Sequence, residues 1–243
     1  RYAGMQDYVE AKKRIFAFQG KDDALFLNND DFIVRQFAKE AKSKIFFFSG
    51  KSVDLSRTQL FGEHNKSNVA CAVEIAKFMG VDDNKIKYLL ETFKGVKARQ
   101  EFVAEIRGVK YFNDTTATMP DAVVAAIESF SKKFPKSKLV FICGGQDKGL
   151  DFKEMAESIK EKSVELILLP GTASDKIEQE LQGYAKIRKS SSMETAVSSA
   201  SDEAGEGDIV ALSPGAASFN LFKNEFDRGD RFVKAVKNIS LRR

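Results

Sequence analysis

Residues 139–149, LVFICGGQDKG, run from an unbroken apolar stretch straight into a glycine-rich polar turn. An apolar run of this length bounded by such a turn reads as a buried strand, and the glycines at 144, 145 and 149 permit the tight exit that follows it. Lys148 can present a compact cation to an anion there, although an ordinary strand-to-helix loop uses the same residue types, so both readings stand. The spacing is not that of the G-x-x-x-x-G-K-[ST] phosphate loop.

Further strands are expected downstream at 164–169 (VELILL), 185–189 (AKIRK) and 208–213 (DIVALS), with helical patterns after Pro120, Asp151, Ser174 and Ser191. Regular alternation of this kind predicts an α/β fold, a mainly parallel sheet with helices on both faces. In such sheets ligands bind beyond the C-terminal strand ends. The loops NDTTAT (113–118), GGQDKG (144–149), PGTAS (170–174) and SPGAAS (213–218) all follow strands and should converge on one rim.

Upstream, FVAEI and VKYFN flank Arg107-Gly108 and read as a hairpin, and the change of texture after Gly95 places a boundary near residue 94. Two domains are therefore expected, 1–93 and 94–243. Within the first, DYVEAKKRIFAF (7–18) predicts a helix with Asp7 as N-cap. ALFLN (24–28) and KIFFFS (44–49) enclose the helical FIVRQFAKEA, a β-α-β unit. GEHNKSN opens a long helix through Met79 that Gly80 closes, and DDNKIKYLLETF forms another ending before Gly95.

The 39 basic and 35 acidic residues, net +4, are mixed along 243 residues, so no basic stripe of the nucleic-acid-binding kind exists and no such partner is expected. Cys71 and Cys143 both lie in apolar runs, which fits buried free thiols and a reducing, cytoplasmic setting. No apolar stretch approaches the roughly 18–20 residues that span a bilayer, and membrane insertion is not expected. The opening Arg1-Tyr2-Ala3-Gly4 leads directly into a helical pattern and suggests the later part of a longer chain.

Several polar residues are candidates for ligand contact. Asp114 is an acceptor and Thr116 and Thr118 are donors in NDTTAT, where an N-capped turn before Pro120 is the plainer account. Small residues from Gly215 to Ser218 permit close approach, with a helix start offering N–H groups to a carboxylate or phosphate and Ser218 a hydroxyl; packing of helix against sheet explains them equally. His64, the sole histidine, cannot make a multi-histidine metal site. Asn65 and Asn68 share a helix face and could read a base edge, or simply face solvent. Lys12 has no claim from composition.

Taken in order, RY…YVEAKKRIF, LNNDD, GEHNKSNVACAVEIA, KGVKARQEF, YFNDTTATMPDA, GGQDKGLDF and LSPGAASFNLFKNEFDRGDRF resemble the Mur ligase family, from Arg1 to about Asn238. The resemblance implies three domains: one for a UDP-sugar substrate, a central ATPase domain, and a Rossmann-like C-terminal domain that brings the amino acid. The first domain and the phosphate-binding loop are missing from this sequence, so residues 1–93 resemble the second half of the central domain, and a chain of this extent alone is expected to be inactive. The stretch from Ser49 to Gly62 is shorter than the family's usual β-rich excursion. The FKNEFDRG segment points to the D-glutamate-adding members, whose substrates are UDP-N-acetylmuramoyl-L-alanine and D-glutamate. Other Mur or folylpolyglutamate-type ligases, or a non-catalytic Rossmann-like module, are the alternatives.

By the same resemblance ATP and Mg²⁺ are the implied cofactors, and the product is an amide formed through an acyl phosphate. Lys12 would be the lysine modified to a carbamate, an oxygen ligand suited to Mg²⁺. Asn68 would contact adenine beside Asn65 and His64, and Arg99 and Asp114 would approach the ribose and phosphates. Thr116, Thr118, Lys148 and Ser218 would face the glutamate carboxylates. Thr116 departs from the pattern, because many D-glutamate ligases carry lysine there and a hydroxyl cannot replace an ammonium.

Overall fold

The computed structural model describes residues 4–219 and 221–241; the opening tripeptide read above lies outside them. The chain divides into two compact units, Arg1–Phe93 and Lys94–Arg243.

The first unit holds α1 (Met5–Lys13), β1 (Ala24–Asn28), α2 (Phe32–Gln36), β2 (Lys44–Phe48), α3 (Glu63–Phe78) and α4 (Asp83–Thr92). β1 and β2 pair in parallel, from Ala24 opposite Lys44 to Asn28 opposite Phe48. Strand alternation sends Leu25 and Leu27 to one face, where they pack with Phe16 and Phe37. Phe26 goes to the other, stacked on Phe46 at 5.1 Å, with Phe78 of α3 set edge-on to both rings. Asp31 and Asp82 cap α2 and α4 through their side chains.

The first helix differs from expectation. It begins at Met5, before Asp7, with Gly4 at the N-cap position and no side-chain cap, and it ends at Lys13. Beyond that the chain tightens into i→i+3 turns, Ile15 N–H to the Lys12 carbonyl and Phe16 N–H to the Lys13 carbonyl. This brings Phe16 onto Phe37, with ring centroids 5.6 Å apart, and leaves Ile15 exposed, so helical spacing did not place both in the core.

The second unit contains β3 (Glu101–Ile106), β4 (Val109–Asn113), α5 (Pro120–Lys133), β5 (Leu139–Cys143), α6 (Lys153–Glu161), β6 (Glu165–Leu168), α7 (Thr172–Glu180), β7 (Ile187–Lys189), α8 (Met193–Glu203), β8 (Ile209–Leu212) and α9 (Glu225–Leu241). Its six-stranded sheet has the order β3-β4-β8-β5-β6-β7, antiparallel only between β3 and β4. Arg107 and Gly108 both take positive φ, the backbone that a two-residue hairpin turn requires. Every residue of β5 and β8 is buried, as central strands covered on both faces must be. Val140, Ile142, Val210 and Leu212 pack with α8 and with Phe232 and Val236 of α9, while Phe130 of α5 meets Phe141 and Phe112 edge-on.

Two helix starts differ from the sequence reading. α7 begins at Thr172, so Ser174 lies inside its first turn, where its hydroxyl bonds the Leu169 carbonyl and accepts from Gly145 N–H. No helix begins in SPGAAS; α9 starts only at Glu225. The stretch after β8 is spent on bonds to neighbouring loops, which leaves its backbone no helical partners.

Gly171 shows how tightly the loops at the strand ends meet. Its φ is 145° and a Cβ there would sit 2.1 Å from the Gly145 carbonyl oxygen, backbone against backbone. Gly183 has a positive φ too, but open space around it. Gly171→Ala should therefore lower the stability of the second unit by about 2–3 kcal/mol in urea unfolding, against about 1 kcal/mol for Gly183→Ala. Equal costs would show that the contact between the two glycines carries no weight.

Candidate functional site

The parallel strands β4, β5, β6 and β8 all deliver their C-terminal ends to one edge of the second unit, and the loops leaving them are cross-bonded. Gln146 and Ala217 exchange two backbone hydrogen bonds, of 2.9 and 3.1 Å, joining GGQDKG to SPGAAS. Gly144 N–H donates to the Pro214 carbonyl and Gly215 N–H to the Ala117 carbonyl, both at 2.8 Å. NDTTAT, GGQDKG and SPGAAS thus form one continuous rim, and Thr118, Lys148 and Ser218 lie on it.

The GGQDKG loop presents a side chain rather than a cradle of amides. Gly145 N–H donates to Ser174 Oγ, Asp147 N–H to Thr172 Oγ1 at 3.1 Å, and the Gly149 and Leu150 N–H groups to Asp147 Oδ1 at 3.0 Å. With those groups occupied, the loop lacks the free N–H array of a phosphate loop. The Lys176 ammonium, 2.6 Å from Asp147 Oδ2, and the Leu150 amide hold the Asp147 carboxyl below the usual carboxylate range. Lys148 is exposed at the tip of this braced turn.

Asp114 lies at the base of the rim, 7% exposed, accepting from Gln100 N–H at 3.1 Å and from the Ser213 hydroxyl at 3.0 Å. Burial pushes its carboxyl up to about 7, while the Ser213 hydroxyl, the Gln100 amide and the Arg99 charge pull it down. Thr116 gives its hydroxyl proton to the Ala98 carbonyl at 2.8 Å, and its amide donates to the same oxygen. The residue standing in the lysine position therefore anchors the 98–100 segment, where Ala98 and Gln100 both hold positive φ. Arg99, between them, is exposed, whereas Ser218 is only 4% exposed.

In the first unit, His64, Asn65 and Asn68 occupy the opening turns of α3. Asn65 and Asn68 do share a face: Asn68 Nδ2 donates to Asn65 Oδ1 at 3.2 Å, and Asn65 Nδ2 donates back to the Phe61 carbonyl at 2.8 Å. The 3₁₀ turn at Gly50–Ser52 packs against this helix so closely that a Cβ on Gly50 would lie 2.8 Å from Ser67 Oγ. Lys12 is exposed on α1 with its ammonium 5.1 Å from the centroid of the Tyr8 ring. Among the described residues no three His, Cys, Asp or Glu side chains are grouped to hold a metal ion, so the donor set of this chain does not by itself make a Mg²⁺ site.

Sequence reasoning missed Arg228. It lies in α9 with no exposure and reaches two of the rim loops, donating to Thr115 and to the Ala216 carbonyl. The FKNEFDRG stretch carried the residue in view, but an arginine in a charged helical segment gives no sign of burial.

Residues 1–55 match the Mur ligase middle domain, and residues 98–215 match the Mur ligase, glutamate ligase domain. The chain is 34% identical over 99% of its length to a UDP-N-acetylmuramoylalanine–D-glutamate ligase of Geotalea daltonii, and 36% identical over 98% to the ligase of that name from Pelotomaculum thermopropionicum. It spans 57% of the length of each of these relatives. Among solved structures, the MurF ligase of Thermotoga maritima in complex with ADP aligns with a TM-score of 0.70 at 18% identity, over 96% of this chain and 58% of that one. The UDP-N-acetylmuramoylalanyl-D-glutamyl-2,6-diaminopimelate–D-alanyl-D-alanyl ligase of Acinetobacter baumannii gives 0.66 at 14%, over 96% and 55%. With the middle-domain match in its first unit and the glutamate ligase domain in its second, the chain belongs to the Mur ligase family.

Proposed function

We propose that this chain is the part of an ATP-dependent ligase that holds adenine and delivers D-glutamate to UDP-N-acetylmuramoyl-L-alanine. One observation carries the amino-acid half of the reading: three strand-end loops are hydrogen-bonded into a single rim that bears the exposed cation Lys148 with Thr118 and Ser218. A fixed cation with neighbouring hydroxyls suits carboxylates. The likeness to D-glutamate ligases supports D-glutamate as that amino acid.

In this reading the carboxylate of the nucleotide substrate attacks the γ-phosphorus of ATP, releasing ADP and leaving an acyl phosphate. The D-glutamate amine then attacks the acyl carbon, loses a proton, and phosphate departs as the amide forms. Chemistry of this kind rests on positioning and charge stabilisation. Lys148 holds a glutamate carboxylate, Thr118 and Ser218 orient it, and Thr116 keeps the loop fixed to Ala98. Asn68, Asn65 and His64 shape the adenine side, and Arg99 and Asp114 the ribose and phosphates. Bound Mg²⁺ would neutralise phosphate charge, and a carbamate on Lys12 would offer it one oxygen.

In the product of the complete reading frame, Lys148→Ala should raise the D-glutamate KM about tenfold to a hundredfold, the cost of a charge-assisted hydrogen bond, while the ATP KM moves less than about twofold. Steady-state ADP release reads both, and parallel assays with L-glutamate, lysine and diaminopimelate test the neighbouring specificities. Equal shifts in the two KM values would remove the assignment.

Lys12→Ala should depress kcat strongly, with partial recovery on adding short-chain carboxylic acids in place of the carbamate. Normal turnover at limiting Mg²⁺ would show Lys12 to be a plain surface lysine.

Asp114 makes a pH prediction for the second unit. Its folded value of about 7 lies above the unfolded value, so between about pH 4 and 7 the folded state keeps a proton that the unfolded chain has lost. Its contribution to stability therefore falls as pH rises through that window and levels off above it. Asp114→Asn should gain on the unsubstituted protein by at least about 1 kcal/mol from pH 4 to 8 in urea unfolding. Parallel curves would mean that the carboxyl is not protonated in the folded state.

A further inference from the structure

Arg228 carries a charge that no described residue balances by an ion pair. Its Nε donates to Thr115 Oγ1 at 3.0 Å, Nη2 to the Thr115 carbonyl at 2.8 Å and Nη1 to the Ala216 carbonyl at 3.0 Å, and all three acceptors are neutral. Burial lowers the guanidinium only to about 10, which leaves it charged at neutral pH. A buried charge is costly unless a counter-charge offsets it; surface exposure does not relieve this one, and the Glu225 carboxylate, one helical turn back, offsets it through space without an ion pair.

The acceptors belong to two different loops of the rim. Thr115 stands between Asp114 and Thr116, and Ala216 is two residues before Ser218. The helix that supplies the arginine is itself pressed against the first loop: Thr115 Oγ1 donates to the Glu225 carbonyl at 2.8 Å, and a Cβ on Gly229 would lie 2.7 Å from Thr115 Cγ2 and 3.1 Å from Asn113 Nδ2. The guanidinium is therefore a rigid fork with fixed anchors. A lysine in its place would be a point charge without that geometry.

We infer that Arg228 is a positioning residue for the carboxylate of the amino-acid substrate, fixing the 113–118 loop against the 213–218 loop and biasing their junction toward an anion. The inference rests on the reading of the rim as the amino-acid site. Arg228 touches no substrate in this scheme; it acts through Thr115 and Ala216, and the bound anion adds to the favourable field that the Glu225 carboxylate already supplies. Low local dielectric lets the charge act beyond its own hydrogen bonds.

The test uses the product of the complete reading frame and reads ADP release with D-glutamate and ATP varied separately. Arg228→Lys should keep the ATP KM within about twofold and raise the D-glutamate KM about tenfold, because the charge survives but the fork does not. Thr115→Val, which deletes one acceptor while keeping the shape, should raise it about threefold to tenfold. Arg228→Ala should recover part of its D-glutamate affinity in millimolar guanidinium, with the ATP KM unmoved. Should that variant not fold, Arg228→Lys and Thr115→Val still decide the matter. Equal shifts in the two KM values, or an unchanged D-glutamate KM in folded Arg228→Lys, would overturn the inference. Absence of D-glutamate-dependent ADP release in the unsubstituted protein would overturn the amino-acid reading and this inference with it.

Discussion

Two hydrogen bonds between Gln146 and Ala217 turn the C-terminal edge of the second unit from a row of separate loops into one surface. Parallel strands alone bring loop ends to a common edge, but they do not fix the loops against one another. Here the fixing is done mainly by backbone groups, with Ser174, Thr172, Asp147 and Arg228 closing the remaining donors and acceptors. Lys148 is the exposed cation that the GGQDKG turn carries on this surface. A braced loop that presents one ammonium is suited to selecting a carboxylate, and poorly suited to wrapping a triphosphate.

The architecture of the second unit was legible because its signals were strong and local. The β5 and β8 runs are apolar throughout, Pro120 occupies the first turn of α5, and Arg107-Gly108 takes the hairpin geometry. The misjudged elements share a cause. At residues 7–18 the spacing suited a helix throughout, but packing Phe16 on Phe37 favoured a tightened turn. At Ser174 and in SPGAAS, residues that usually cap helices are bonded instead to neighbouring loops, a tertiary choice that no local pattern records.

The candidate site was legible in part for a related reason. Lys148, Thr118 and Ser218 sit on strand-end loops, and strand ends can be read from periodicity. Which groups are already engaged cannot be read that way. Thr116 looked like a weak substitute for a lysine, yet its proton is given to Ala98; Arg228, which no sequence pattern singled out, is the buried fastener of two loops. Burial and hydrogen-bond saturation are properties of the folded rim as a whole. Residue type and spacing fix neither.

The meeting of Gly145, Gly171 and Ala217 has a meaning for how such a sequence can drift. A Cβ on Gly171 would strike the Gly145 carbonyl, and one on Gly145 would lie 2.3 Å from the Ala217 carbonyl oxygen. Three positions from three different loops are thus tied by main-chain atoms that no rotamer change can move aside. A side chain added at Gly145 or Gly171 is tolerable only if the main chain facing it retreats. Substitution at either glycine is therefore a matter of two loops at once.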